Sequence, residues 1–203
     1  PKRLTAYVDV SKQFLIQDSA SAEEMLKRDI VNAISDKLEA TILGSAAGSA
    51  TMPAGIFNGV TPETKDITYK RLVDMETALE EANVAGNKCF IVSPSAKGIL
   101  KTTAKDALYN VTDGGVHTCV GCAGCLMEEN EVNGYPVYCT SNVTSKGVVM
   151  GHFEDFVIGQ WGGIDLTVDP YTQAANGKVR LVINAYFDAK PRRTGSFQKA
   201  ILK

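Results

Sequence analysis

The sequence predicts an α+β protein, with its helices in the first half of the chain and its strands in the second. One observation is an apolar stripe, Leu26, Ile30, Ile34, Leu38 and Ile42, that recurs every four residues behind the pattern Ser21-x-x-Glu24. A reciprocal cap ahead of such a stripe is the signature of a long amphipathic helix. Another is the breakup of the chain beyond residue 130 into short apolar runs, with Asn133-Gly134 and Asn176-Gly177 as hairpin-type turn signals,. The third is segregation: the helical and strand patterns do not alternate, which selects α+β over α/β.

Taken in order, Leu4, Ala6, Val8 and Val10 share one face at period two, so residues 4–10 read as a strand. The helix then runs from Ser21 to Leu43, 23 residues, or about 35 Å at 1.5 Å per residue, with Gly44 as its stop. That is long for a chain of this size and reads as a spine. The small-residue stretch 44–51 and the segment Pro53 to Gly59 read as a loop and a subdomain boundary,. A second helix is expected from Thr68 to about Asn83, burying Leu72, Met75, Leu79 and Ala82 and stopping by Gly86. Cys89–Val92 reads as a strand. Ser93-Pro94 reads as N-cap and first helical position of a short helix to about Lys101. Residues 110–130 are glycine-rich and irregular. Strands are expected at 135–139, 147–150, 156–160, 164–168, 179–187 and 197–202.

Composition narrows the function. The chain has 203 residues, 44% of them hydrophobic and 22% charged, with formal net charge −2. It has no cationic excess to neutralise a phosphate backbone, so a dedicated nucleic-acid binder is not expected. No apolar run approaches the roughly 20 residues of a membrane span. The chain opens at Pro1, which reads as a processed product or a fragment.

The one motif with the look of chemistry is Cys119-x-x-Cys122-x-x-Cys125. Thiolates at that spacing can converge on zinc or an iron–sulfur cluster, with Cys139 or His117 as a fourth ligand. The ferredoxin run needs a further cysteine after three intervening residues, where Glu129 stands,. The favoured reading is therefore a small-residue loop with free thiols or inter-subunit disulfides, and no metal or cofactor. An odd total of five cysteines also argues against a secreted disulfide scaffold. No Gly-x-Ser-x-Gly elbow or phosphate loop occurs. Gly159-Gln160-Trp161-Gly162-Gly163 reads as a tight turn, Glu80-Glu81 and Glu128-Glu129 as solvated carboxylates, and His152 as structural. Lys190, Arg192 and Arg193 suit a subunit interface at least as well as nucleic acid. No catalytic residues are expected, and the chain is not expected to be an enzyme.

Several segments, in order, resemble the major capsid proteins of tailed bacteriophages and prophages, whose shell subunit has the Hong Kong-97-type fold. They are residues 4–19 leading into the capped helix and Pro53-Ala54-Gly55-Ile56; Phe90-Ile91-Val92-Ser93-Pro94-Ser95; Asn133-Gly134-Tyr135-Pro136-Val137; Gly151-His152-Phe153-Glu154-Asp155-Phe156-Val157-Ile158-Gly159; and the closing runs 179–182 and 197–200. The resemblance implies a peripheral domain of residues 1–65 plus 169–203 built on the spine helix 21–43, and an axial domain of residues 66–168. It implies a structural protein of the phage head that assembles with itself into hexamers and pentamers of an icosahedral shell around DNA. That would occur in the host bacterial cytoplasm with a scaffold, a maturation protease and a portal, and the product would be the virion capsid. The family's N-terminal arm and most of its extended loop would precede Pro1, so poor shell assembly is expected of this chain alone. A bacterial nanocompartment shell of the same fold is the alternative. A cysteine-cluster metal or redox protein is the alternative from another class.

Overall fold

The computed structural model describes residues 1–13, 21–105, 112–113, 116–117 and 124–203, with side chains at 21–24, 27, 112–113 and 116–117 left aside. The chain divides into two compact units. Unit 1 comprises Pro1–Ile42, Gly48–Ala54 and Ile158–Ala189; unit 2 comprises Leu43–Ala47, Gly55–Val157 and Lys190–Lys203.

Unit 1 is one helix on an antiparallel sheet. Strand β1 (Lys2–Ser11) pairs along its whole length with the long strand β10 (Lys178–Pro191), from Lys2 opposite Phe187 to Ser11 opposite Lys178. The other edge of β10 carries β8 (Phe156–Gln160) and then β9 (Asp165–Asp169). Helix α1 (Ser21–Ile42) lies against the face formed by Leu4, Ala6 and Val8. Its stripe is the predicted one: Ile30, Ile34 and Ile42 are buried, and Leu26 and Leu38 half-buried. The capping pair Ser21 and Glu24 lies outside the described side chains.

Unit 2 is built on a five-stranded mixed sheet in the order β11-β7-β2-β6-β5. These strands are β2 (Cys89–Val92), β5 (Glu131–Val132), β6 (Tyr135–Cys139), β7 (Gly147–Gly151) and β11 (Phe197–Ile201). The central pair β2–β7 is antiparallel, and β2–β6 is parallel. Helices α2 (Tyr69–Glu81) and α3 (Pro94–Thr102) cover it. Leu72, Met75 and Leu79 of α2, Ala96 and Leu100 of α3, and Phe90, Val92, Val148 and Met150 of the sheet form one core. Strand β7 is buried at every position, which explains its continuous apolar run. Two short strands, β3 (Thr112–Asp113) and β4 (Val116–His117), pair antiparallel. The loop 55–59 is pinned by fully buried Phe57, whose N–H donates to the Gly44 carbonyl at 3.0 Å.

The caps follow the sequence chemistry. The hydroxyls of Thr68 and Ser93 accept from Arg71 N and Ala96 N, closing the first turns of α2 and α3,. Helix α2 stops earlier than Gly86. Asn83 takes a left-handed φ of 51° and Val84 N–H donates to Leu79 O at 3.1 Å, a Schellman-type end,. Ala82, expected on the buried face, is therefore a cap residue and exposed.

Asn133-Gly134 forms the expected tight hairpin between β5 and β6, with φ of 53° and 78°, as a type I′ turn requires. Asn176-Gly177 also lies in a hairpin connection, a longer one between the antiparallel strands β9 and β10. It closes residues 170–177, a connection set by Asp169, whose carboxylate accepts from Tyr171 N and Thr172 N at 2.9 and 3.1 Å. Gly159–Gly163 does not reverse the chain. Trp161 N–H donates to Tyr186 O and Asp165 stands opposite Asn184, so the segment stays beside β10 as a bulge, with Gly162 at φ 75°,.

Candidate assembly surfaces

Of the residues that sequence chemistry singled out, those among the described residues do not converge on a site. Cys119 and Cys122 lie outside the described residues, as does the His117 side chain, although the His117 backbone pairs opposite Thr112. Cys125 is disulfide-bonded. Cys139 is a free, exposed thiol at the end of β6, and Cys89 is a free, half-buried one whose ionisation burial pushes upward. No group of three metal-ligating side chains occurs among the described residues.

Residues Ser196, Asp155 and His152 have the composition of a hydrolytic triad but the geometry of a brace. Ser196 is fully buried and its hydroxyl donates to Asp155. His152 presents its backbone N–H to Ser196 O at 3.2 Å, while its ring Nδ1 donates to Asn87 O at 2.9 Å. The ring edge also fills the space where a side chain at Gly86 would stand. A nucleophile needs a ring nitrogen on its hydroxyl and access to substrate, and this serine has neither.

The outward face of the unit 1 sheet is polar and internally paired. Arg180 stands opposite Asp9 and donates to both its oxygens, at 2.7 and 2.9 Å. The guanidinium also lies 4.6 Å from the Tyr7 ring centroid. The hydrogen bond from Arg180 holds the Asp9 carboxyl below the usual range. A depressed carboxylate adds stability that is present above its unfolded value, near 4, and lost as pH falls through the folded one. The expected result is that Asp9→Asn lowers the urea midpoint near neutral pH, and that the gap to the wild type closes as pH falls through the lowered pKa of the folded state,. A gap that persists at low pH would assign the effect to shape and not charge.

On the opposite face α1 leaves part of the sheet open. Ile164, Leu166 and Val168 remain exposed and line, with Val31 and Leu26, an apolar groove of about 430 Å³. Unpaired edge backbone beside exposed apolar side chains is surface suited to association.

In unit 2 the β5–β6 hairpin is tied to α2. Tyr135 OH donates to Glu76 Oε1 at 3.1 Å and Asn133 Nδ2 to Glu76 Oε2 at 3.3 Å. Burial, then the Glu76 bond, pushes the phenol pKa upward. Tyr135→Phe is expected to destabilise unit 2 by about 1 kcal/mol, read by urea unfolding. An unchanged midpoint would mean that water serves Glu76 equally well.

Broad sheet edges and exposed apolar side chains among the described residues are the surfaces of a protein that associates,. Comparison with known proteins agrees. The model of the phage capsid family matches residues 1–200, and the chain belongs to that family, a family of structural capsid proteins. It is 26% identical to the major capsid protein of Halomonas phage phiHAP-1 over 98% of its own length, and spans about a third (32%) of that relative. Among solved structures, the capsid of an empty GTA particle matches with a TM-score of 0.70 at 16% identity, over 100% of this chain and 72% of that one. A structure from Gordonia phage Cozz matches at 0.65 and 15%, over 99% of this chain and 70% of that one. The SrpI encapsulin of Synechococcus elongatus PCC 7942 matches at 0.64 and 12%, over 98% and 73%. The fold is the Hong Kong-97-type capsid fold.

Proposed function

We propose that this chain is the shell-forming body of a phage or prophage major capsid protein. It associates with copies of itself into hexamers and pentamers of an icosahedral shell that encloses DNA. Assembly takes place in the host bacterial cytoplasm, with a scaffold, a maturation protease and a portal as partners, and the product is the virion capsid. Residues 1–65 plus 169–203, with the spine helix, serve as the peripheral domain and residues 66–168 as the axial domain that meets its neighbours around the ring axes; the compact units divide the chain differently, with 55–65 and 190–203 in unit 2 and 158–168 in unit 1. The family match over residues 1–200 carries this reading. Sedimentation of the full-length protein, co-expressed with its scaffold and protease, tests it. Shell-sized particles are expected; folded monomers alone would overturn it.

The likeness to an encapsulin supports a second reading, a bacterial nanocompartment shell, because the fold serves both roles. Particle contents discriminate: nucleic acid for a phage head, a packaged enzyme for a nanocompartment. The cysteine loop is read as free of metal. Protein made without added metal should be folded and empty of zinc by mass spectrometry, and stoichiometric zinc would restore the metal-site reading.

A further inference from the structure

The five-stranded sheet of unit 2 carries opposite charge at its two edges, and we propose that these edges are the two halves of one head-to-tail contact between neighbouring copies of this chain. The inference rests on the shell-subunit reading above and names the surfaces that such a subunit would use.

The outer strands of the sheet are β11 and β5. The end of β10 and the turn into β11 present Lys190, Arg192 and Arg193, all exposed. None has a recorded ion-pair partner among the described residues. Residues 190–203 contain five cations and no carboxylate side chain. The backbone under these cations is fixed. Arg192 N–H donates to Asp155 O at 2.7 Å, and the buried Ser196 hydroxyl holds the Asp155 carboxylate. The neighbouring Glu154 lies 3.6 Å from His152.

At the other edge, Glu128, Glu129 and Glu131 are all exposed. Their backbone is fixed too: Glu128 N–H donates to Glu131 O at 3.1 Å and Glu131 N–H to Glu128 O at 2.7 Å. Glu129 and Asn130 hold φ of 47° and 66°. Two cations temper this edge. Lys105 lies 3.7 Å from Glu128, and Lys97 donates to Asn130 Oδ1 at 2.9 Å. Glu129 and Glu131 keep no recorded ion-pair partner among the described residues, so the edge remains acidic.

Four strand spacings separate β11 from β5, roughly 19 Å. The two patches therefore cannot neutralise each other within one molecule, but they can do so between copies. A two-fold contact through either edge alone would place like charge against like. A head-to-tail contact places each patch on its complement, and its repetition closes a ring. Exposed charge pairs steer approach and set register without demanding one fixed angle, which suits a subunit that must close rings of two sizes. A polyanion such as DNA would use the basic edge alone and leave the acidic edge without a counterpart.

The test uses two variants of the full-length protein, R192E/R193E and E129K/E131K, with ring formation read by native mass spectrometry at low salt. Each variant alone is expected to lose at least tenfold in hexamer fraction. The first reverses the charge of the turn that holds Arg192 and Arg193, and the second that of the edge that holds Glu129 and Glu131. An equimolar mixture is expected to recover hexamers of strictly alternating composition, and the chain carrying all four substitutions to recover homogeneous rings. Unchanged ring formation in either variant, or loss that neither mixing nor combination repairs, overturns the proposal. Intact rings with reduced DNA content also overturn it, in favour of polyanion binding. If the folded wild-type protein forms no rings, the shell-subunit reading falls with it. If wild-type rings form and the swaps are silent, only this inference falls.

Discussion

Truncating Phe90 to alanine is expected to lower the unfolding free energy of unit 2 by about 3–5 kcal/mol. Phe90 is fully buried at the middle of the sheet, on β2, with β6 on one side and β7 on the other. Its ring meets Tyr135 edge-on at 6.5 Å, so the loss includes an aromatic contact as well as the transfer and cavity costs. The neighbours that could collapse into the space are themselves fixed: Leu72, Met75 and Leu79 come from a capped helix and Val148 and Met150 from a strand paired on both sides. Domains of this size hold only about 5–15 kcal/mol in total. Chemical denaturation of the chain, followed by near-ultraviolet circular dichroism, reads the change. A loss below about 1 kcal/mol would mean that the core repacks freely and is not the close-set structure described.

Ile34→Ala is expected to cost about 2–5 kcal/mol in unit 1. The core there is smaller. Ile30, Ile34 and Ile183 are its buried centre, with Leu4, Ala6, Val8, Leu181 and Phe187 packed around them half-buried. A helix as long as α1 draws most of its stability from such packing and little from propensity. The predicted signature is local: amide exchange should accelerate along α1 and β1, while the sheet of unit 2 keeps its protection. Uniform acceleration in both units would contradict the division of cores. The leucine variant, Ile34→Leu, keeps the volume and should cost less than about 1.5 kcal/mol.

These two positions also show which parts of the fold were legible in the sequence. Ile34 announced itself because a helix in contact with a sheet repeats its apolar residues near 3.6, and the stripe from Leu26 to Ile42 does so,. β1 was legible by alternation, and the Asn133-Gly134 turn because few residues other than Asn and Gly accept two successive left-handed conformations,. The positions of β2 and α3 followed from Ser93-Pro94, a cap and a first helical residue with no alternative use for the missing N–H,. What local pattern could not carry was partnership. Phe90 read as one apolar residue in a four-residue run, and nothing near it says that β7 and β6 flank it. The Asp9–Arg180 pair joins residues 171 positions apart and leaves no periodic trace. The Gly159–Gly163 bulge failed as a turn for the same reason: glycine marks where the chain can bend, while the pairing with β10 decides that it continues.

The surfaces divide in the same way. Lys190, Arg192 and Arg193 were visible as a charge cluster, and Glu128-Glu129 as a solvated pair. Their places at opposite edges of one sheet depend on strand order, β11-β7-β2-β6-β5, which no local pattern encodes. The exposed row Ile164, Leu166 and Val168 read from sequence simply as a strand, since alternation predicts burial and not which element fails to cover it. The ordered likeness to the capsid family pointed to function where residue chemistry alone gave only the exclusion of an active site.

A cryo-electron microscopy reconstruction of particles purified from cells making the full-length protein with its scaffold and protease tests the central claim most directly. The shell-subunit reading predicts a closed icosahedral shell whose density accepts this fold in rings of five and six, with the unit 2 sheet nearest the ring axes and its β11 edge against the β5 edge of the next copy. Folded protein that yields no shells, or shells whose density does not accept the fold, would contradict it.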